Sequence, residues 1–168
     1  MHPLPTPALR PYRSPTDAAA TFEVFQAAIR RTAATVYDAD QVEAWAGSRD
    51  VDLTAWDERR RTAFTVVAEC DDPLVGSAGV VGFADLLPDG VVDMLFVHPD
   101  AGGRGVARSL VAAVRAEGTA RGLTELRTFA SRSAQPAFER FGFELVADRP
   151  GNLARGVVVP NAELRCRL

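Results

Sequence analysis

Between an apolar run and an amphipathic stretch the chain reads Val97-His98-Pro99-Asp100-Ala101-Gly102-Gly103-Arg104-Gly105-Val106-Ala107. Three glycines and an alanine stand where a strand must turn into a helix. Glycine permits the sharp turn and a close approach of backbone to ligand. The first turn of the helix that follows offers unpaired N–H groups and the positive end of its dipole. Such a loop is an anion site, and the anion it suits is a phosphate or pyrophosphate. The first expectation is therefore a phosphate-bearing cofactor held by main-chain amides. Arg104, inside the loop, reads as a charge partner for a phosphate, or else as a solvated loop arginine.

A second feature lies just upstream. Asp93 is the one carboxylate inside Val91-Val92-Asp93-Met94-Leu95-Phe96-Val97. Burying a carboxylate in an apolar strand is costly unless it is paired or faces a wet cleft. Two readings stand: a general base, or a strand-start residue facing solvent or paired with an arginine. His98 reads as a turn residue rather than a catalytic one. The Arg59-Arg60-Arg61 run reads as a solvated helix face. Cys70 and Cys166, far apart and without metal-ligand spacing, read as small apolar side chains in strands.

These residues need a scaffold. Ala8 to Tyr12 reads as a short strand, and Ser14-Pro15-Thr16-Asp17 as a helix start. Helical spacing of Phe22, Val24, Phe25, Ala28 and Ile29 predicts a helix over 16–31. Asp38 or Asp40 caps a second short helix carrying Val42 and Trp45 and ending near Gly47. A third runs through Trp56 to Arg61. Phe64–Cys70, Val80–Leu86 and Val91–Val97 read as strands, with turns at Asp71-Asp72-Pro73 and Leu87-Pro88-Asp89-Gly90. The continuous apolar pattern of the third predicts that both its faces are covered. A helix over Arg104–Arg121 stops at Gly122. Then come a strand over Leu123–Ala130, a short helix over Ser133–Arg140, a strand from Phe141-Gly142-Phe143 through Val146, and a last strand region at Gly156–Val159 and Ala162–Leu168. The order predicts a mixed α/β layer with one helix crossing between strands.

The chain has 168 residues, enough for one domain with a real core. We expect a short tail at 1–7 and a single domain over 8–168. The net charge of −3 offers no basic field for nucleic acid. All 19 basic residues are arginine, so a Walker loop, which requires lysine, is excluded. A dinucleotide fingerprint belongs after a first strand, not mid-chain after a meander. No apolar run approaches the ~20 residues of a membrane span, and no leader pattern stands at the N-terminus. A cytoplasmic, reducing setting is expected.

The pair of motifs resembles the GCN5-related N-acetyltransferase superfamily. The first is Leu95-Phe96-Val97-His98-Pro99 followed by Gly102-Gly103-Arg104-Gly105-Val106-Ala107. The second is Ser131-Arg132-Ser133-Ala134-Gln135-Pro136-Ala137-Phe138-Glu139-Arg140-Phe141-Gly142-Phe143. The segment from Val36 to Ala46 resembles a bacterial branch of mostly uncharacterised members. The resemblance implies an α/β (mixed α+β) fold. Its central, mostly antiparallel sheet is splayed between strands 4 and 5 and flanked by helices. It implies acetyl-CoA as co-substrate and no metal. The pyrophosphate would lie on the amides of Gly102, Gly103, Arg104, Gly105, Val106 and Ala107, and the pantetheine against the strand at Leu95, Phe96 and Val97. The Val97 N–H would hold the oxyanion, Asp93 would be the base, and Ser131 would meet the pantetheine or relay a proton. Tyr37 and Trp45 would reach the acceptor pocket.

The chain departs from the family pattern in three places. Gly102 replaces the usual Gln or Arg, Ser131 the usual Asn, and Phe138 the tyrosine that protonates the leaving thiolate. The implied activity is transfer of an acetyl group to a primary amine, on a small molecule or a protein, by direct attack in a ternary complex. The alternative that Phe138 keeps open is a catalytically impaired acyl-CoA-binding sensor or scaffold. No membrane partner is implied, and a homodimer through the C-terminal strands is allowed by analogy.

Overall fold

The computed structural model describes residues 7–71 and 79–168. The expected tail, save Pro7, and the expected turn at Asp71-Asp72-Pro73, save Asp71, lie outside the described residues. In chain order the elements are β1 (Ala8–Pro11), α1 (Ala18–Ala27), α2 (Ala39–Ala46), α3 (Thr54–Thr62), β2 (Phe64–Glu69), β3 (Val80–Leu86), β4 (Val91–Val97), α4 (Val106–Ala120), β5 (Glu125–Ser131), α5 (Gln135–Arg140), β6 (Glu144–Arg149), β7 (Leu153–Ala154), β8 (Val157–Val158) and β9 (Asn161–Arg167). A seven-stranded sheet runs β1-β2-β3-β4-β5-β9-β6, and β7 and β8 form a separate small hairpin. Every pairing in the large sheet is antiparallel except β4 with β5.

That one parallel pair is short. Val91 pairs with Arg127 and Val92 with Thr128, and there the ladder stops. On its other side β5 stays paired with β9 for seven positions, out to Ser131 opposite Asn161. The two halves of the sheet therefore part beyond Val92. The cause is visible in β4. Leu86 pairs with Val92 but Asp85 pairs with Met94, so Asp93 is an extra residue, a β-bulge. A bulge bends its strand and increases the local twist, and it sits where pairing with β5 ends.

Alternation along β4 sends its side chains to two cores. Met94 and Phe96 pack among residues of the N-terminal helices, Leu95 and Val97 among those of α4. Both faces are covered, as the apolar run predicted. Helix α4 seats closely on the sheet. A Cβ on Gly82 of β3 would stand 2.9 Å from Val106 Cγ1 and 3.0 Å from Phe96 O, so only glycine admits the helix start there. Helix α4 closes with the Gly122 N–H bonded to Thr119 O and the Leu123 N–H to Gly118 O. This double bond pattern terminates helices around a glycine. It consumes Leu123, so β5 begins at Glu125 rather than at the expected Leu123.

Other boundaries differ for local reasons. The helix expected over 16–31 is α-helical over Ala18–Ala27, then widens to a π turn at Ala28–Thr32 and tightens to a 3₁₀ turn at Ala33–Thr35. Asp17 stands at its start but does not cap it. Its carboxylate instead accepts from the Arg10 guanidinium at 2.6 Å and the Arg13 N–H at 2.7 Å. Asp38 does cap α2: it accepts from the Gln41 N–H, and the Gln41 side chain accepts from the Asp38 N–H. The hairpin β7–β8 was not legible as two strands. Cys70 and Cys166 are buried free thiols, as expected.

The solvated reading of Arg59-Arg60-Arg61 fails at its centre. Arg60 is 1% exposed and pairs with buried Asp85 of β3 at 3.2 Å. Its guanidinium lies 3.6 Å above the Trp56 ring and also reaches the Met94 sulfur. Arg60 follows Trp56 by one helical turn, so it shares the face that Trp56 buries. Burial pushes the Asp85 carboxyl up to about 6, against the pull of Arg60 and the Thr65 hydroxyl.

Candidate active site

The parted strands open a cavity of about 350 Å³. One wall is β4 from Asp93 to Val97, the other the end of β5 through Ser131 and the start of α5. The His98 N–H bonds to Val81 O on β3. Backbone groups alternate sides along an antiparallel strand, and Phe96 lies opposite Phe83 in that register. The N–H and C=O groups of Leu95 and Val97 therefore point away from β3, toward the gap. They form an unpaired strand edge, the kind of surface that accepts an extended ligand as an added strand.

At the wide end of the gap the glycine loop leads into α4. Gly105 stands at the N-cap with φ +77° and supplies no side-chain cap. The Ser109 N–H is bonded to Gly105 O, so the amides before it in the first turn have no helical acceptor. Cβ atoms added at Gly103 or Gly105 would meet nothing within 4 Å. The loop backbone at both glycines thus has open space beside it. Arg104 is half-buried between these glycines, Ala107 lines the cavity, and the Val106 side chain is buried in the core. His98 is buried and its Nδ1 accepts from the Asp100 N–H at 3.3 Å, which is the turn role expected of it. Asp100 in turn pairs with Arg31 at 2.6 Å, which ties the loop to the end of the first helical segment and holds the Asp100 carboxyl below its ordinary range.

Asp93, raised by the bulge, lines the cavity and pairs with Arg59 of α3 at 3.0 Å. Both sequence readings meet here: the carboxylate is at the cavity and is also arginine-paired. Ser131 Oγ shares a hydrogen bond with Ser133 Oγ at 2.9 Å and accepts from the Ala134 N–H at 3.1 Å. Phe138 is buried on the cavity wall, edge-on to Phe143 with centroids 5.1 Å apart. It places no hydroxyl there.

The far wall is aromatic. Tyr37 and Trp45 meet edge to face at 5.8 Å, and Trp45 lies 6.1 Å from Phe96, which contacts Phe25 at 5.0 Å. Trp45 is fixed through its backbone, because Arg155 of the β7–β8 hairpin donates to Ala44 O at 2.6 Å and Trp45 O at 3.1 Å. The Tyr37 hydroxyl donates to Pro160 O at 2.5 Å and accepts from the Arg132 N–H at 2.8 Å. It is engaged in bracing β5 against β9, and burial raises its pKa. Two asparagines that the sequence reading did not single out also line the cavity. They are Asn152, which donates to Val159 O at 2.9 Å, and Asn161, whose Oδ1 is buried without a hydrogen-bond partner. Only the register of β9 against β5 brings Asn161 there, and one sequence carries no signal of that register.

A strand edge left open beside a glycine-led helix start suits a ligand with an extended arm and an anionic end, as the acyl-CoA-dependent transferases to which this chain is similar require. The acetyltransferase (GNAT) domain model matches residues 33–159. The chain belongs to that family. It is 34% identical over 124 residues to the uncharacterised N-acetyltransferase YafP of Escherichia coli strain K12, covering 73% of this chain and 72% of YafP. A GCN5-related N-acetyltransferase from Rhodopseudomonas palustris superposes with a TM-score of 0.86 at 34% identity, over 98% of both chains. At 22% identity, yncA of Salmonella typhimurium, solved with acetyl-CoA, shares the fold with a TM-score of 0.68 over 98% of this chain and 95% of that one.

Proposed function

We propose that the chain transfers an acetyl group from acetyl-CoA to a primary amine by direct attack in a ternary complex. The observation that carries this reading is the continuity of the open β4 edge with the uncapped start of α4. The edge suits a pantetheine arm, and the loop amides of 102–107 with Arg104 suit its pyrophosphate. In yncA and in a phosphinothricin acetyltransferase from Sinorhizobium meliloti the same fold was solved with acetyl-CoA.

The chemistry then divides among four groups. Asp93 takes the proton of the incoming ammonium, at the cavity edge where the bulge presents it. The amine nitrogen attacks the thioester carbonyl carbon, and the C=O electron pair moves onto oxygen. The two inward-facing N–H groups of β4 share the ligand. With the phosphates at the wide end, Leu95 is the donor nearer Asp93 and suits the oxyanion, which leaves Val97 to the pantetheine; sequence alone assigned the oxyanion to Val97. As the intermediate collapses the C–S bond breaks. The attacking nitrogen must still shed a second proton as the amide forms. Phe138 cannot relay it, so Ser131, backed by Ser133, accepts that proton while handing its own hydroxyl proton to the departing sulfur, and CoA leaves as the free thiol.

The test is release of free CoA thiol from acetyl-CoA with and without a panel of primary amines. Amine-dependent release with matching N-acetyl product supports the transferase. Tight acetyl-CoA binding with no release on any amine would instead support the sensor or scaffold alternative.

A further inference from the structure

The acceptor end of this cavity has a chemical character that narrows the amine. This step rests on the reading of the cavity as an acetyltransferase site. Among the described residues that line it there is no arginine, lysine or histidine, and Asp93 is the one carboxylate. Opposite β4 the wall is built from Phe25, Ile29, Tyr37 and Trp45, with Met94 and Phe96 on the strand itself. The Tyr37 hydroxyl is already spent on Pro160 and Arg132, so this residue offers the cavity chiefly its ring. Arg59 reaches Asp93 from α3 but is not among the lining residues.

Such a wall sorts amines by what else they carry. A carboxylate or phosphate entering it would lose its hydration and find no cation on the lining, which is expensive; Arg59, behind Asp93, is already paired with the Asp93 carboxylate. An ammonium meets the opposite situation: Asp93 attracts it, and aromatic faces favour a cation within about 6 Å of a ring centroid. An aryl or alkyl body finds apolar partners along the wall of Phe25, Ile29, Tyr37, Trp45, Met94 and Phe96, and, Asp93 aside, the polar side chains elsewhere on the cavity, Asn152 and Asn161 among them, are neutral. The volume, about 350 Å³ and shared with the acyl end of the cofactor, is at the small end for ligand sites.

We infer that the acceptor is a small primary amine on an apolar, aryl or arylalkyl body, carrying no carboxylate or phosphate. Amino acids, phosphorylated amines and protein lysines fall outside this class. Trp45 is its specificity-determining residue, held in place by the Arg155 clasp on the end of α2.

The experiment compares matched pairs on the intact protein with saturating acetyl-CoA: 2-phenylethylamine against phenylalanine, tryptamine against tryptophan, and hexylamine against a lysine-containing peptide. The expected result is a kcat/KM at least tenfold higher for the member without the carboxylate or peptide. Trp45→Ala should lower kcat/KM for the aryl amines about tenfold, mainly through KM. Calorimetric affinity for CoA should stay the same. Equal or better use of the carboxylate-bearing partners overturns the inference, as does a protein that binds acetyl-CoA and acetylates none of these apolar amines. Absence of acetyl-CoA binding altogether would be a failure of the transferase reading itself, visible in the calorimetry before any amine is added.

Discussion

Replacing Arg60 with methionine should make the stability of this protein depend on pH in a way the wild type does not. Arg60 and Asp85 are both buried and paired at 3.2 Å. In the wild type burial pushes Asp85 from 3.8 up to about 6 even with the guanidinium beside it. Remove that cation and the carboxyl must rise further, with the Thr65 hydroxyl, at 3.0 Å, and the charge of Arg59 still favouring its ionised form. A group whose pKa is higher folded than unfolded favours folding below its unfolded pKa, and that advantage is lost as pH rises through the folded pKa. In the wild type the loss falls between about 3.8 and 6. In Arg60→Met it continues above 6, at about 1.4 kcal/mol for each further pH unit until the new pKa is passed.

At pH 5.5 Asp85 is largely protonated in both proteins, and the variant exchanges a buried charge for a thioether of comparable reach. The expected cost there is under about 1.5 kcal/mol. At pH 8 the cost should reach about 3 kcal/mol or more, the range seen when one partner of a buried pair is removed. That corresponds to a fall in Tm of roughly 6–12 °C for a chain of this size. Urea unfolding at the two pH values, followed by the fluorescence of Trp45 and Trp56, the latter stacked under Arg60, gives the difference directly. Arg60→Met/Asp85→Asn should abolish the extra pH dependence, because nothing at position 85 then titrates. A cost for Arg60→Met that is the same at pH 5.5 and 8, or a pH dependence that persists in the double variant, would refute the reasoning.

Three chemical predictions follow from the site. Asp93→Asn should lower kcat/KM about 100-fold at neutral pH, within the usual range for loss of a general base, while calorimetry shows acetyl-CoA affinity within twofold of wild type. Phe138→Tyr restores a phenol at the cavity wall and should raise kcat severalfold where thiolate departure limits the rate; an unchanged kcat alongside an intact fold would show that protonation is not limiting. Ser131→Ala should depress kcat by about tenfold or more, and Phe138→Tyr in that background should recover part of the loss if the two hydroxyls serve the same proton.

The loop was legible because it depends on local rules, whereas the gap was expected only from the family resemblance. An apolar strand followed by glycines and an amphipathic helix specifies a strand–loop–helix unit, and Gly105 does occupy the left-handed conformation that the turn requires. A cap at Asp38 or Asp40 was readable from residue type, and Gln41, three residues beyond Asp38, is the partner that decides for Asp38. What sequence withheld is what depends on register. The bulge at Asp93 appears only when Val92 and Met94 are matched to consecutive residues of β3. Arg60 could have been set apart from its neighbours by its one-turn spacing from Trp56, yet its partner Asp85 lies 25 residues away on a strand whose facing side was unknown. The lining positions of Asn152 and Asn161 rest on the β5–β9 register and the β7–β8 hairpin, which local pattern does not encode. Tyr37 lines the cavity, and its hydroxyl is a structural brace that no local pattern announced.

The central claim is that the amides leading into α4 hold the pyrophosphate of an acyl-CoA. Calorimetry of acetyl-CoA against wild type and Gly105→Glu tests it most directly. At φ +77° a side chain costs roughly 1–2 kcal/mol, and the open space around this position admits it without a clash, so the variant should still fold, which a thermal melt checks. Micromolar binding to wild type, about −8 kcal/mol, and no measurable binding to Gly105→Glu are expected. Wild-type protein that fails to bind acetyl-CoA, or a folded Gly105→Glu that binds it equally well, would contradict the account.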